Sequence, residues 1–72
     1  MVNANVLKSK IVLHGDTMSS LADHLGISRQ TLTLKVSGAN DFNQSEIKSI
    51  IIKYGLTPEE VDVIFFGESD ES

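Results

Sequence analysis

Thr17-Met18-Ser19-Ser20-Leu21-Ala22-Asp23-His24-Leu25-Gly26-Ile27-Ser28-Arg29-Gln30-Thr31-Leu32 reads as a short helix, a tight turn and a second helix. Leu21, Ala22 and Leu25 recur at helical spacing and form one apolar stripe, and Ala22 is small where two helices must cross closely. Gly26 ends the first helix, because a glycine enters the left-handed conformation without a Cβ penalty. Ser28 opens the second, its hydroxyl placed to accept an amide hydrogen from the first turn. Ile27 fills the space beneath the turn, and Leu32 with Val36 pins the second helix to the core. The result is a helix-turn-helix arrangement over about residues 17–37.

The same punctuation repeats outward in both directions. Glycines at 15, 26, 38, 55 and 67 each follow an apolar-periodic segment and act as helix stops, while Ser28, Asn43 and Thr57 are N-cap types. Ile27, Phe42 and Leu56 precede those caps, and Leu32, Ile47 and Val61 stand at the N4 positions, so the hydrophobic staple recurs three times. Glu46 and Glu60 occupy N3 for capping boxes, and Pro58 falls at N1, where its missing N–H is not needed. The expected elements are helices at about 4–14, 18–25, 29–37, 44–54 and 58–66, with no strand. Leu7 and Ile11, Leu21, Ala22 and Leu25, Leu32 and Val36, Ile47, Ile50 and Ile51, and Val61, Ile64 and Phe65 supply the inward stripes of one all-α core. Helices this short are marginal alone, so their stability has to come from mutual packing, with Ile27 and Phe42 closing the gaps.

Seventy-two residues suffice for one domain, read as residues 1–67 followed by an acidic, solvated tail at 68–72. With no cysteine, disulfides and cysteine-based zinc or redox chemistry are excluded. No unbroken apolar run exceeds four residues, far too short to span a bilayer, and no basic segment leads into an apolar one near Met1. A cytoplasmic, non-membrane protein is expected. Ten acidic residues against six basic ones give a net charge of −4, but the acid is concentrated at one end. Residues 1–58 sum to +2, and residues 59–72 to −6. Part of the 59–62 acid is explained locally, since carboxylates in a first turn meet the positive end of a helix.

With Leu32 and Val36 inward, residues 29, 30, 33, 34 and 37 face outward. Were that face to read DNA, Arg29 and Gln30 would address base edges, and Thr31 or Thr33 bases or phosphate, beside the Ser28 cap. The segment Leu-Ala-Asp-His-Leu-Gly-Ile-Ser-Arg-Gln-Thr-Leu at 21–32, with Gly38, Phe42 and Ser-Glu-Ile-Lys at 45–48, resembles the phage repressor and Cro-like family of helix-turn-helix proteins. Within that family the likeness is to small Cro-like antirepressors of temperate phages. The resemblance implies a compact five-helix, lambda-repressor-like domain. It also implies a complex with the DNA-binding domain of the phage's lysogenic repressor, favouring the lytic state in the bacterial host. The alternative is a Cro-like repressor that binds operator DNA directly.

Departures from the family pattern favour the protein partner. Met18 stands where relatives place a phosphate-binding Gln, and the loop Gly38-Ala39-Asn40-Asp41 has no cation. Leu34 adds an apolar group beside Gln30 on the outward face, better suited to a protein than to a polyanion. The window 17–41 has Arg29 and Lys35 against Asp23 and Asp41, a net of zero, so unaided affinity for a duplex is expected to be weak. Met18, Leu34 and Arg29 are the expected anchors, with Asp23, Asp41 and Glu46 as a candidate acidic rim facing a cationic partner. His14 and His24 lack metal-ligand spacing, and no nucleophile or acid–base constellation is present. No catalysis, cofactor or small-molecule substrate is expected. An apolar set at Ile52, Val63 and Phe66 offers a self-association patch, with nothing to specify two-fold symmetry.

Overall fold

The computed structural model describes residues 2–66. The expected tail at 68–72 and the helix stop at Gly67 lie outside the described residues. In chain order the elements are α1 (Ala4–Leu13), α2 (Met18–Leu25), α3 (Arg29–Ser37), α4 (Gln44–Tyr54) and α5 (Pro58–Val61), the last continuing into a π-helical segment, Asp62–Phe66. There is no strand among the described residues.

Local chemistry sets each boundary. Ser28, Asn43 and Thr57 cap α3, α4 and α5 as expected, and Asn3 and Thr17 do the same for α1 and α2. Reciprocal capping boxes join Asn43 to Glu46 and Thr57 to Glu60; a third joins Thr17 to Ser20, with a serine in place of the usual Glu or Gln. Gly26 ends α2 at φ +74°, and Ile27 then donates its amide to the Ala22 carbonyl at 3.0 Å. That bond turns the chain sharply enough for α2 and α3 to pack on each other.

The last expected helix differs in its winding. Its first half is α-helical, but the stretch expected to continue so to residue 66 is π-helical from Asp62. The Ile64 carbonyl accepts the Asn3 amide at 2.7 Å, which ties the start of α1 to this segment. The wider winding turns two consecutive side chains, Ile64 and Phe65, inward.

The core draws on every long helix: Leu7 and Ile11, Leu21 and Ala22, Leu32 and Val36, and Ile50 and Tyr54, closed by Leu56, Ile64 and Phe65. Leu25, Ile27, Phe42, Ile47, Ile51 and Val61 are half-buried around it, forming its edge rather than its centre. Phe42 meets Phe65 edge-to-face at 5.5 Å between ring centroids. The Cα radius of gyration, 11.3 Å, matches the roughly 11 Å expected of a compact chain this long.

Tyr54 is a core residue that its place at the end of α4 did not advertise. Its hydroxyl donates to Asp16 at 2.8 Å, the Lys53 ammonium stands 3.4 Å from the same carboxylate, and Ser20 donates to it at 3.2 Å. Asp16 thereby fastens the α1–α2 turn, and with it the start of α2, to the end of α4. The Tyr54 bond, with help from Lys53, outweighs burial and holds the Asp16 carboxyl below its ordinary value.

Candidate recognition surface

α3 presents Arg29, Gln30, Thr33, Leu34 and Ser37 to solvent, the five positions expected from its phase. Leu34 is 41% exposed, an appreciable apolar area on an otherwise polar face. The hydroxyls on and beside this helix serve its own structure first. Ser28 Oγ accepts the Thr31 amide at 3.0 Å and donates to Thr31 Oγ1 at 2.9 Å. Thr33 donates to the Arg29 carbonyl and Ser37 to the Leu34 carbonyl, both at 2.9 Å. Arg29 and Gln30 are therefore the side chains on this face whose donors are not already engaged with the helix.

The remaining candidates separate. Met18, at the first position of α2, is half-buried against the core, so only part of its side chain is open to a partner. Asp23 on α2 and Asp41 in the loop after α3 are exposed, as a rim requires. Glu46 is not part of that rim. It is 7% exposed, its Oε1 lies 2.6 Å from Lys35 Nζ, and the same oxygen accepts the Asn43 amide at 3.0 Å. Burial works against its charged form, but the Lys35 ammonium and the Asn43 N–H outweigh it and keep the carboxyl below its ordinary value.

That pair changes the charge on offer. Lys35 retains only 13% side-chain exposure and is matched by Glu46, which lies outside the window 17–41. Lys10 is paired with Glu60 and Lys53 with Asp16. Arg29 is left as the one outward cation of α3, while Asp23 on α2 and Asp41 in the loop after α3 are both exposed. The loop 38–41 is exposed and folds back on α3, the Ala39 and Asn40 amides both reaching the Leu34 carbonyl, at 3.0 and 3.2 Å.

Among the described residues no group of three or more His, Cys, Asp or Glu side chains is placed to hold a metal ion. Nor is any helix of the described residues long and apolar enough to cross a membrane. The Lys35–Glu46 pair is the feature that sequence reasoning missed. The capping box announced where Glu46 would turn, but not the lysine from another helix that meets it. Compared with family models, curated proteins and solved structures, the chain matches none.

Proposed function

We propose that this chain is a lambda-repressor-like helix-turn-helix regulator that acts as an antirepressor. It engages the DNA-binding domain of a phage lysogenic repressor through the outward face of α3. The observation that carries this reading is the makeup of that face: one cation without a partner among the described residues, Arg29, beside Gln30 and the exposed Leu34, with Lys35 neutralised by Glu46. A duplex is gripped by neutralising phosphates, and each contact contributes a salt slope of roughly −0.9. One cation, with exposed carboxylates on the preceding helix and the following loop, gives little of that grip. An apolar anchor flanked by Arg and by exposed acids suits a cationic protein surface instead.

Direct operator binding in the manner of a Cro-like repressor is the second reading, favoured by the free Arg29 and Gln30 donors at the N-terminal end of α3. Mobility shifts of operator DNA with this protein, with the repressor and with both, at several salt concentrations, separate the two. Loss of the repressor–DNA complex together with a stable heterocomplex in solution supports the antirepressor. Tight, sequence-specific shifting by this protein alone overturns it.

A further inference from the structure

Of the three capping boxes, those opening α4 and α5 carry a carboxylate at N3, and the one opening α2 carries a hydroxyl. Ser20 Oγ closes that box without charge, accepting the Thr17 amide at 2.8 Å. A neutral acceptor therefore satisfies a helix start in this chain, and Gln serves in such boxes as Glu does. The cap at Asn43 needs the oxygen of Glu46 but not its charge. What the charge adds is a hold on Lys35.

Glu46 Oε1 accepts the Asn43 amide at 3.0 Å, and the Glu46 amide donates to Asn43 Oδ1 at 2.8 Å. The carboxylate is thus fixed to the start of α4, and the long lysine stem brings Nζ to it, 2.6 Å from the same oxygen. Both side chains are largely buried. Stability gives little reason for burying such a pair, since desolvation offsets the attraction and apolar side chains of similar volume often do as well. The position of Lys35 gives a better one. It follows Leu34, which places it about 100° further round α3 from that exposed residue, at the flank of the outward face. A solvated lysine there would be a second cation beside Arg29.

Taking α3 as the recognition helix, a premise this inference shares with the function proposed above, we propose that Glu46 determines the class of partner from outside the recognition face. By holding Lys35 it denies α3 its second phosphate-neutralising cation, and so turns the helix from nucleic acid toward a protein. Arg29 is left to serve either partner. Glu60 supplies the same chemistry elsewhere: its Oε1 accepts the Thr57 amide at 2.9 Å, and its carboxylate pairs with Lys10, joining α5 to α1. Glu60→Gln therefore removes one negative charge from a capping box away from α3, as Glu46→Gln does beside it.

The test titrates a labelled duplex of random sequence with the full chain and its variants, by fluorescence anisotropy over a range of salt, with no repressor present. One added phosphate contact steepens the slope of log K against log salt by roughly 0.9, which at about 50 mM salt is worth about tenfold in affinity. Glu46→Gln should show both changes. Glu60→Gln should alter affinity by less than about twofold, and the double change Lys35→Gln, Glu46→Gln should return to wild type. Ser37→Lys puts a new cation on the exposed end of α3 and leaves the buried pair intact; it should gain as much as Glu46→Gln. A Glu46→Gln gain no larger than that of Glu60→Gln, a gain that survives in the double variant, or no gain from Ser37→Lys would each overturn the proposal. Tight operator binding by wild type overturns the antirepressor reading instead, and leaves the comparison between wild type and Glu46→Gln to be read separately.

Discussion

Removing the carboxylate of Glu46 tests the buried pair that sets the charge of α3. In Glu46→Ala two things are lost: the acceptor for the Asn43 amide, and the partner of an ammonium whose side chain is 13% exposed. Breaking a fully buried pair destabilises by about 3–5 kcal/mol, and the flexible lysine stem recovers some of that by turning toward solvent, so about 2–3 kcal/mol is expected. At 4–8 °C per kcal/mol for a domain of this size, Tm falls by roughly 10–20 °C. Glu46→Gln keeps an acceptor that a capping box tolerates and loses only the charge, for about 1 kcal/mol. The pH dependence has a definite sign. Because the folded-state carboxyl lies below its ordinary value of 4.5, its contribution is fully present above that pH and is lost as pH falls through the folded value. Asp16 and Glu60, also held low, lose their contributions in wild type and variant alike. The gap in Tm between wild type and Glu46→Gln, followed by thermal circular dichroism, isolates Glu46 and should narrow below about pH 4.5. A Glu46→Ala protein melting within about 3 °C of wild type at neutral pH would refute the reasoning. So would a gap that widens on acidification.

Gly26→Ala places a methyl group where nothing lies within 4 Å, so its cost is backbone strain at φ +74° alone. That strain is worth about 1–2 kcal/mol and should appear as a lower denaturation midpoint with an unchanged m-value. Burial, with the bond to Asp16, pushes the Tyr54 phenol above its ordinary value of 10.0. Its contribution is present below that pH and is lost as pH rises toward the folded value, so tyrosinate absorbance should develop only with alkaline unfolding, and Tyr54→Phe should unfold at higher pH than wild type; an ordinary titration near pH 10 in folded protein would contradict this. On the face of α3, Leu34→Lys should weaken the repressor heterocomplex by about tenfold while increasing non-specific duplex binding, and Arg29→Ala should weaken both. Indifference of the heterocomplex to Leu34→Lys, measured by titration calorimetry, would remove the apolar anchor.

The boundaries of the helices were legible because they depend on neighbours in sequence. Ser28, Asn43 and Thr57 accept amides three residues on, and glycines 15, 26, 38 and 55 take positive φ where the apolar periodicity stops. Thr17 escaped the same reading because its reciprocal partner is Ser20 rather than Glu or Gln. What was not legible depends on residues far apart. The π-helical segment accompanies a bond from Asn3 to Ile64, and the burial of Tyr54 accompanies a hydroxyl bond to Asp16, 38 residues earlier. The candidate site shows the consequence most directly. Counting charges over residues 17–41 gave Lys35 to the surface and left Glu46 outside, whereas the fold puts the two 2.6 Å apart. The window then carries Arg29 against Asp23 and Asp41, and its exposed balance is one unit more negative than the neutral count. A charge counts toward a surface only if no partner from another helix reaches it first, and periodicity along one helix carries no information about that partner. The weak grip on phosphate expected of α3 thus rests on a tertiary ion pair more than on composition.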